Sequence, residues 1–496
     1  MLFLIPFYVL RMKSNTQKVT LFVMLLSGLI SLLQFLLNRS LWWDEALLAL
    51  NICSRDSLQL LNPLNDNQVA PIAFLQIEKA VSCLLPHSEM GLRLFPLTCF
   101  WASVYLFYKI TCVLLKDQKV VLLAVSVFCL NSSLIYYSSE VKQYMTDVFV
   151  CLLLYHLLLR KYRAPRNKII LLTVGGGFSI FLSNIAPVVL FIIALCIIAA
   201  FIREEGKKKI SSLLPLLAWM LTFVYYYYTF IHNHPSRNSM LIYWSNSFMP
   251  ANLLERNFWD FCFYKTRMVF FELLPFHGAG IFAVLFFSIG LMGLLQARSF
   301  RLLILLLGPV VMQLLLSLIK LYPFDLRLIL YQTALYTILL AIGINDVQIR
   351  LRKKYKKEWI TAILAFFPLV LVMNICFNFP FETEELKKSM AFMSAHIRPD
   401  ETIYLYYGAV PAFRYYTQSH KINFKNRVVF GNCYRGAPQK YLDEISKIKQ
   451  DHWILFSHLF DSESKSICNF LDSASEKRFG SVYKGSEVYL YAAHSK

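Results

Sequence analysis

Two adjacent acids follow the first long apolar run of the chain, in the stretch LNRSLWWDEALLALNI. Asp44 and Glu45 come directly after Trp42 and Trp43. A carboxylate in such a place can act as a general base. Neighbouring side chains on a helix point about 100° apart, so the two acids are predicted to have different roles. A structural alternative stays open, because tryptophans favour membrane interfaces and acids in a first turn complement the helix dipole.

Two further short turns carry ionisable residues between apolar runs. The turn YYSSEVKQYMTD contains Glu140 and Lys142, and the turn KLYPFDLRLIL contains Asp325 and Arg327. Ionisable groups at a membrane boundary are candidates for function, although each one alone could be a capping or snorkelling residue. Their recurrence at the ends of apolar runs favours one shared outer surface.

The composition indicates a membrane protein. Of the 496 residues, 57% are apolar and only 16% are charged, and the mean hydropathy is +0.50. A bilayer crossing takes about 20 apolar residues, and several runs have this length. The sequence therefore predicts a polytopic α-helical membrane protein. The net charge of +20 is explained by basic cytoplasmic loops, so no nucleic-acid partner is expected.

The elements that must position these residues are eleven predicted spans. They cover residues 18–37, 91–115, 120–137, 144–160, 169–185, 186–202, 210–231, 279–296, 301–319, 328–345 and 358–378. The apolar segment 69–86 is short and is interrupted by Glu78 and Lys79. It is predicted to be an amphipathic interfacial helix.

Charge sets the sidedness of the spans. With segment 69–86 in the interface, the short loops rich in Lys and Arg all fall on one side, which is then cytoplasmic. If the segment crossed the bilayer, these loops would be split between the two sides. The N-terminus is therefore predicted inside and the C-terminus outside. The outer regions are 38–90, 137–143, 232–278 and 320–327.

Hydropathy falls after residue 379, so segment 1–379 is predicted to be the membrane domain and 380–496 a soluble α/β domain. The pattern of the tail predicts four helices, at 382–397, 409–418, 437–450 and 463–476. It predicts strands at 402–407, 427–430 and 452–456, and a hairpin around Lys484-Gly485-Ser486. Of the eleven cysteines, most lie in apolar runs, whereas Cys433 and Cys468 lie in the tail and could form a disulfide.

In their order along the chain, these motifs resemble those of the GT-C glycosyltransferases that use polyprenyl-phosphate sugars. The branch they resemble holds the protein O-mannosyltransferases and the lipid A aminoarabinose transferases. The motifs are WWDEALLALNI, VAPIAFLQ, GLRLFPLTCFWASVYLFY, YYSSEVKQY and YPFDLRLILY. The chain departs from the pattern where Ala70-Pro71 replaces a double proline, where Lys142 replaces an arginine, and where Gln68 and Val69 stand in place of a base.

The resemblance implies an inverting transfer of a sugar from a polyprenyl phosphate to an extracytoplasmic acceptor, which is a glycan, a lipid or a protein. It implies that Asp44 is the general base. Arg327 and then Lys142 are the candidates for binding the departing phosphate, because a guanidinium binds phosphate through two hydrogen bonds. Glu45 is expected to orient the acceptor or the loop.

Other assignments follow from the same resemblance. Glu140 is a further catalytic candidate, which holds Lys142 or Arg327 or shares a divalent cation with Asp44. Oxygen ligands suit Mg²⁺ or Mn²⁺, but two carboxylates are a poor cage, so no cofactor is expected to be required. Substrate contacts are predicted for Trp43, Tyr144 and Tyr322.

The sequence also predicts a cellular location and leaves two other functions open. The chain is predicted to lie in a bacterial inner (plasma) membrane, among lipid, with the active face and the tail extracytoplasmic. A glycolipid transporter or flippase would favour charges buried in mid-span and internal repeats. A non-catalytic membrane scaffold would use the tail as its interaction module and would tolerate loss of Asp44.

Overall fold

The computed structural model describes residues 14–85, 88–203, 210–275, 280–354, 358–418, 422–461 and 463–493. Residues 1–13, residues 204–209 of the first basic segment and residues 355–357 of the second lie outside this description. The described chain is mostly helical, with 69% of its residues in helices, and it carries a small C-terminal sheet. This agrees with the predicted architecture.

Each predicted span contains a helix. The helices of this part of the chain are Asn15–Leu36, Glu89–Leu114, Gln118–Cys129, Ser132–Tyr137, Tyr144–Leu159, Pro165–Leu182, Ala186–Arg203, Leu214–Tyr226, Gly280–Gln296, Phe300–Leu318, Thr333–Lys354 and Glu358–Asn378. The predicted interfacial segment contains the helix Ile72–Ser82, and the acids Asp44 and Glu45 lie on the helix Trp43–Ser54.

The prediction of one continuous span over 120–137 is wrong in detail. The first helix, Gln118–Cys129, is followed by two non-helical residues, and a new helix, Ser132–Tyr137, then begins. Asn131 is the reason, because its side-chain oxygen accepts a hydrogen bond of 3.0 Å from the backbone N–H of Leu134. An asparagine in this role caps a new helix and competes with continuation of the old one.

Within the described residues, six helical segments are long and apolar enough to cross a membrane. They are Asn15–Leu36, Glu89–Leu114, Ala186–Arg203, Ile210–Ile231, Phe300–Leu318 and Leu326–Leu351. Shorter apolar helices are present at Gln118–Cys129, Tyr144–Leu159, Gly280–Gln296 and Ala365–Asn378. The predicted total of eleven spans therefore stays a prediction.

The outer region 232–278 contains structure that the sequence did not indicate. It forms the helices Arg237–Tyr243 and Arg256–Arg267 and the short 3₁₀ turn Ser245–Ser247. A π-helical turn, Tyr227–Ile231, directly precedes the region, and another, Met268–Leu273, lies near its end. Further 3₁₀ turns lie at Gln59–Leu61, Ile210–Leu213, Leu326–Gln332 and Tyr407–Ala409. π-helical turns are often found at functional sites.

Contacts divide the chain into two compact units. The first holds residues 1–35, 69–78 and 93–379, and the second holds residues 36–68, 79–92 and 380–496. The second unit thus joins most of the first outer region to the C-terminal segment, whereas the sequence placed that region in the membrane domain. The division into domains at residue 379 stays a prediction.

The C-terminal sheet has five strands in the order β2-β1-β3-β5-β4. The strands are β1 Thr402–Leu405, β2 Val428–Phe430, β3 His452–Ser457, β4 Lys477–Tyr483 and β5 Ser486–Tyr491. β1 pairs in parallel with β2 and β3, while β5 pairs antiparallel with β3 and β4. The helices of this segment are Leu386–His396, Val410–Gln418, Pro438–Ile445 and Glu463–Ala474. The predicted helix 437–450 is therefore shorter than expected.

The parallel strands of this sheet create a switch point. The chain leaves β1 for β2 on one side of it and returns to β3 on the other side. In sheets of this kind, ligands and functional groups gather at the carboxyl ends of the strands beside such a point. Here these ends carry Tyr406 after β1 and His458 after β3.

Candidate active site

Asp44 lies in the first turn of the helix Trp43–Ser54 and is 8% exposed. Its position places the carboxylate at the positive end of the helix dipole. The side-chain amide of Gln68 donates a hydrogen bond of 3.3 Å to Asp44 Oδ1. A neutral amide orients the carboxylate without pairing its charge with a cation at this contact.

Gln68 reaches Asp44 because the loop that carries it is bound to the same helix. The backbone N–H of Asn65 donates to Asn51 Oδ1 at 2.8 Å, and Asn51 Nδ2 donates to the carbonyl of Leu47 at 2.9 Å. Asn51 lies two turns after Asp44 and is buried. The helix therefore fixes both the acid and the loop that supplies its hydrogen-bond donor.

Glu45 has a different environment from its neighbour. Arg39 Nη1 lies 2.7 Å from Glu45 Oε2, and both side chains are buried. The backbone N–H of Trp42 also lies 3.4 Å from the same oxygen. Glu45 thus holds the segment that enters the helix, whereas different roles for the two acids stay a prediction.

The tryptophans before Asp44 contact the C-terminal sheet. The ring of Trp43 stacks on His458 with centroids 5.2 Å apart and planes at 9°, and Trp42 lies 5.9 Å from the same ring. The backbone N–H of Leu41 donates to the hydroxyl of Tyr416 at 2.7 Å. The entry to the Asp44 helix is therefore built jointly with residues from the end of the chain, all within the second unit.

The other predicted site residues lie in the first unit. Glu140 and Lys142 occupy a tight turn in which the Lys142 N–H donates to the Glu140 carbonyl at 2.8 Å. Both side chains are buried, at 1% and 5% exposure. Tyr137 lies within electrostatic range of Glu140 and of Arg327. Glu140 and Arg327 therefore both lie near Tyr137, and their shared outer surface stays a prediction.

Arg327 lies among aromatic rings. Its guanidinium carbon is 4.8 Å from the ring centre of Trp244 and 5.8 Å from that of Tyr144, and its Nη2 donates to the Tyr243 hydroxyl at 3.0 Å. These three residues are called the aromatic cradle below. Cation–π contacts hold a guanidinium without neutralising its charge, so the cradle orients the positive group of Arg327.

A buried amide network holds the turn that carries Arg327. Gln313 accepts hydrogen bonds of 2.8 Å from Tyr331 and from Gln332, and its own amide donates to the Pro323 carbonyl at 3.2 Å. Tyr336 donates to Gln332 at 2.6 Å. Buried networks whose members are paired specify one conformation, so the 3₁₀ turn Leu326–Gln332 presents Arg327 from a fixed backbone.

The outer region 232–278 is joined to the same turn. Ser247 donates to Asp325 Oδ2 at 2.8 Å, and its carbonyl accepts from the Phe324 N–H at 2.8 Å. Lys265, which is 5% exposed, lies 3.5 Å from Asp325 Oδ2. Asp325 thus anchors the outer region, and this places Tyr243 and Trp244 over Arg327.

Tyr322 lies elsewhere in the first unit. It is within electrostatic range of Asp147 and Tyr331. Asp147 in turn accepts a hydrogen bond of 2.5 Å from Ser183. Tyr322 therefore lies near a buried polar group at the start of helix Tyr144–Leu159.

The described residues contain no group of three or more His, Cys, Asp or Glu side chains that could hold a metal ion. Asp44 and Glu140, considered together as possible ligands, belong to different units. Cys433 and Cys468 are both free thiols, so the possible disulfide is not formed.

Sequence reasoning missed three groups of residues at these sites. Tyr243 and Trp244 form most of the cradle, Lys265 pairs with Asp325, and His458 stacks on Trp43. The aromatic pair in an outer region was the available signal, since an exposed Tyr-Trp pair beside spans is typical of binding surfaces. For Lys265 and His458, no motif marks the contact.

No protein-family model matches the chain, and no curated protein matches it. Among solved structures, ArnT from Cupriavidus metallidurans bound to undecaprenyl phosphate matches with a TM-score of 0.52 and 10% identity, over 96% of this chain and 98% of that one. The apo state of ArnT matches with a TM-score of 0.51 and 10% identity, over 94% and 97%. The oligosaccharyltransferase of Archaeoglobus fulgidus, in complex with Zn and sulfate, matches with a TM-score of 0.45 and 11% identity, over 95% and 73%.

The match to ArnT runs through nearly the whole of both chains, so it includes the helices and the C-terminal sheet together. At this identity it concerns the fold. The chain therefore has an ArnT-like fold, in agreement with the resemblance that its ordered motifs carry.

Proposed function

We propose that the chain is an integral membrane glycosyltransferase that moves a sugar from a polyprenyl phosphate to an extracytoplasmic acceptor with inversion. One observation carries the proposal: the chain shares its fold, over 96% of its length, with ArnT bound to undecaprenyl phosphate. The acceptor is a glycan, a lipid or a protein. The membrane is the bacterial inner (plasma) membrane, with Asp44, Arg327 and the C-terminal segment on its outer side.

In the proposed reaction, Asp44 takes the proton of the acceptor hydroxyl. The acceptor oxygen then forms a bond to the anomeric carbon on the face opposite the phosphate, and the bond from that carbon to the phosphate oxygen breaks. The products are the glycosylated acceptor and the free polyprenyl phosphate. The hydrogen bond from Gln68 to Asp44 supports this role, because it orients one carboxylate oxygen.

Arg327 and Lys142 receive the negative charge of the departing phosphate. The aromatic cradle and the amide network support this role for Arg327, because they fix the guanidinium in advance. Fixed cations at a developing charge need no reorganisation during the reaction. Glu140 holds this cationic group in place, and Tyr144 contributes a ring to it. A divalent cation is not required by these steps.

The decisive measurement is mass spectrometry of the polyprenyl-phosphate pool. Membranes that hold the native protein are compared with membranes that hold Asp44→Asn at equal abundance. The sugar-loaded lipid is expected to accumulate in the variant, which also identifies the donor. Asp66→Asn is the matched control, because Asp66 is exposed in the same outer region and its φ of 56° suits asparagine.

The alternatives predict other results. If Asp44→Asn and the native protein give the same lipid pool and the same phenotype, the proposed mechanism fails and a scaffold role replaces it. If the variant instead blocks lipid transport while transfer to the acceptor continues, the chain is a transporter of glycolipids.

A further inference from the structure

His458 follows the central strand β3 at the carboxyl edge of the C-terminal sheet. Its backbone has a φ of 51°, in the left-handed region that non-glycine residues seldom adopt. Such a conformation is strained and persists only where the surroundings impose it. The contacts around His458 therefore impose this backbone conformation on the residue that carries the ring.

Glu384 and Gly408 hold the ring and the backbone around His458. Nδ1–H of His458 donates to Glu384 Oε1 at 3.0 Å, and the hydroxyl of Ser457 donates to Glu384 Oε2 at 3.0 Å. Glu384 is 6% exposed. Gly408 packs so closely that a Cβ atom there would lie 2.2 Å from the Ser457 carbonyl oxygen. Only glycine permits this approach.

One face of the His458 ring packs on Trp43, the residue that precedes Asp44. His458 and Trp43 are stacked with nearly parallel planes, 5.2 Å apart. Trp43 is the first residue of the helix, and Asp44 is the second. The stacked ring and the carboxylate are therefore carried by consecutive residues of the same helical turn.

The segment just before these residues is held by the same part of the chain. The backbone N–H of Lys387 donates to Ser40 Oγ at 3.1 Å, and Lys387 Nζ donates to the Asn38 carbonyl. The hydroxyl of Tyr416 accepts a hydrogen bond from the Leu41 N–H. These contacts fix the path of the backbone, whereas the stacking on His458 fixes the orientation of the Trp43 side chain.

We propose that His458 is a positioning residue for the transfer reaction, which sets the orientation of the Asp44 carboxylate through the ring of Trp43. The C-terminal segment is then a part of the catalytic unit rather than a separate interaction module. This inference rests on the proposed role of Asp44 as the base. His458 itself touches no reacting atom and transfers no proton.

The test compares His458→Ala, which removes the ring, with His458→Phe, which keeps a ring for stacking and loses the hydrogen bond. His458→Ala is expected to lower kcat about 10-fold to 100-fold, because small displacements of a catalytic group cost this much. The KM for the lipid donor is expected to stay within about twofold, since a positioning defect acts on the chemical step. His458→Phe is expected to restore most of kcat.

The matched control is His396→Ala. His396 is an exposed histidine of the same unit, and its ring contacts that of Phe392 in a tilted arrangement, with centroids 4.5 Å apart. It is expected to leave kcat unchanged. If His458→Ala keeps kcat within about twofold of the native value per folded molecule, the proposal is overturned, even where the melting temperature falls.

A spectroscopic readout separates this proposal from the proposed function. The emission of Trp43 is obtained as the difference between each protein and its Trp43→Phe derivative. His458→Ala is expected to shift this emission to longer wavelength, because the ring gains contact with water, and His458→Phe is expected to reverse the shift. An unchanged difference spectrum overturns the positioning role, whereas a shift with an active Asp44→Asn variant overturns only the catalytic role of Asp44.

Discussion

Arg39 donates a charge-assisted hydrogen bond of 2.7 Å to Glu45, and neither side chain is more than 4% exposed. The bond spans the point where the chain turns from an extended segment into the helix Trp43–Ser54. Asp44, one residue earlier, instead receives an amide hydrogen bond from Gln68. The two adjacent carboxylates thus make different contacts, since Glu45 pairs with a buried arginine and Asp44 accepts a hydrogen bond from a neutral amide.

Glu45→Gln is expected to destabilise the protein more than it alters the chemical step. Removing one partner of a buried ion pair leaves an unpaired charge and costs about 3–5 kcal/mol. A large fall in melting temperature is expected, with kcat per folded molecule reduced less than by Asp44→Asn. Glu476→Gln is the control, because its side chain is 78% exposed. A melting temperature equal to that of the control would contradict the structural role.

Gln68→Leu is expected to lower kcat about tenfold. The substitution keeps the size of the side chain and removes the donor to Asp44, and a hydrogen bond to a charged group contributes about 1.5–3 kcal/mol. Gln68→Asn, with a shorter amide, is expected to give a similar loss because it cannot reach Oδ1. Steady-state kinetics with the donor identified by the lipid analysis checks this, and an unaltered kcat in both variants would show that the contact is incidental.

Much of the fold could be predicted from local pattern. The strands of the C-terminal sheet lie close to their predicted places, because alternation and turn residues act over a few positions. The helix that bears Asp44 has acids in its first turn, an arrangement that the sequence offered as the structural alternative for this pair. The break at Asn131 shows the limit, since the apolar run continues through it and only the capping bond ends the helix.

Contacts between distant segments could not be predicted. Tyr243 contacts Arg327 across 84 residues, and Tyr416 contacts Leu41 across 375 residues. No periodicity within either segment encodes the partner. The ordered motifs indicate candidate site residues, whereas the contacts that position those residues are visible only in the three-dimensional structure.

Arg327→Lys is expected to raise the KM for the lipid donor about tenfold or more, although the positive charge is kept. A lysine cannot form two parallel hydrogen bonds to a phosphate or stack its head group flat on Trp244. Trp244→Leu is expected to have a smaller effect in the same direction. Arg256→Lys is the control, because this arginine side chain is 91% exposed. Equal KM values for Arg327→Lys and the control would remove Arg327 from the phosphate site.

Glu78→Gln is expected to reduce the loss of folding stability that accompanies a rise in pH. Glu78 lies on helix Ile72–Ser82 with 0% exposure, and neither carboxyl oxygen has a hydrogen-bond partner among the described residues. Burial raises the pKa of Glu78 well above its usual range. The folded protein therefore keeps a proton on Glu78 at pH values where the unfolded chain has lost it.

The sign of the effect follows from this difference. Between the ordinary glutamate pKa near 4.3 and the raised pKa, the free energy of unfolding falls by about 1.4 kcal/mol per pH unit. Glutamine is neutral at every pH and removes this loss. Melting temperatures of the native protein and Glu78→Gln are thus expected to agree near pH 4 and to separate as the pH rises, with the variant higher. Parallel curves would show that Glu78 is ionised in the folded protein.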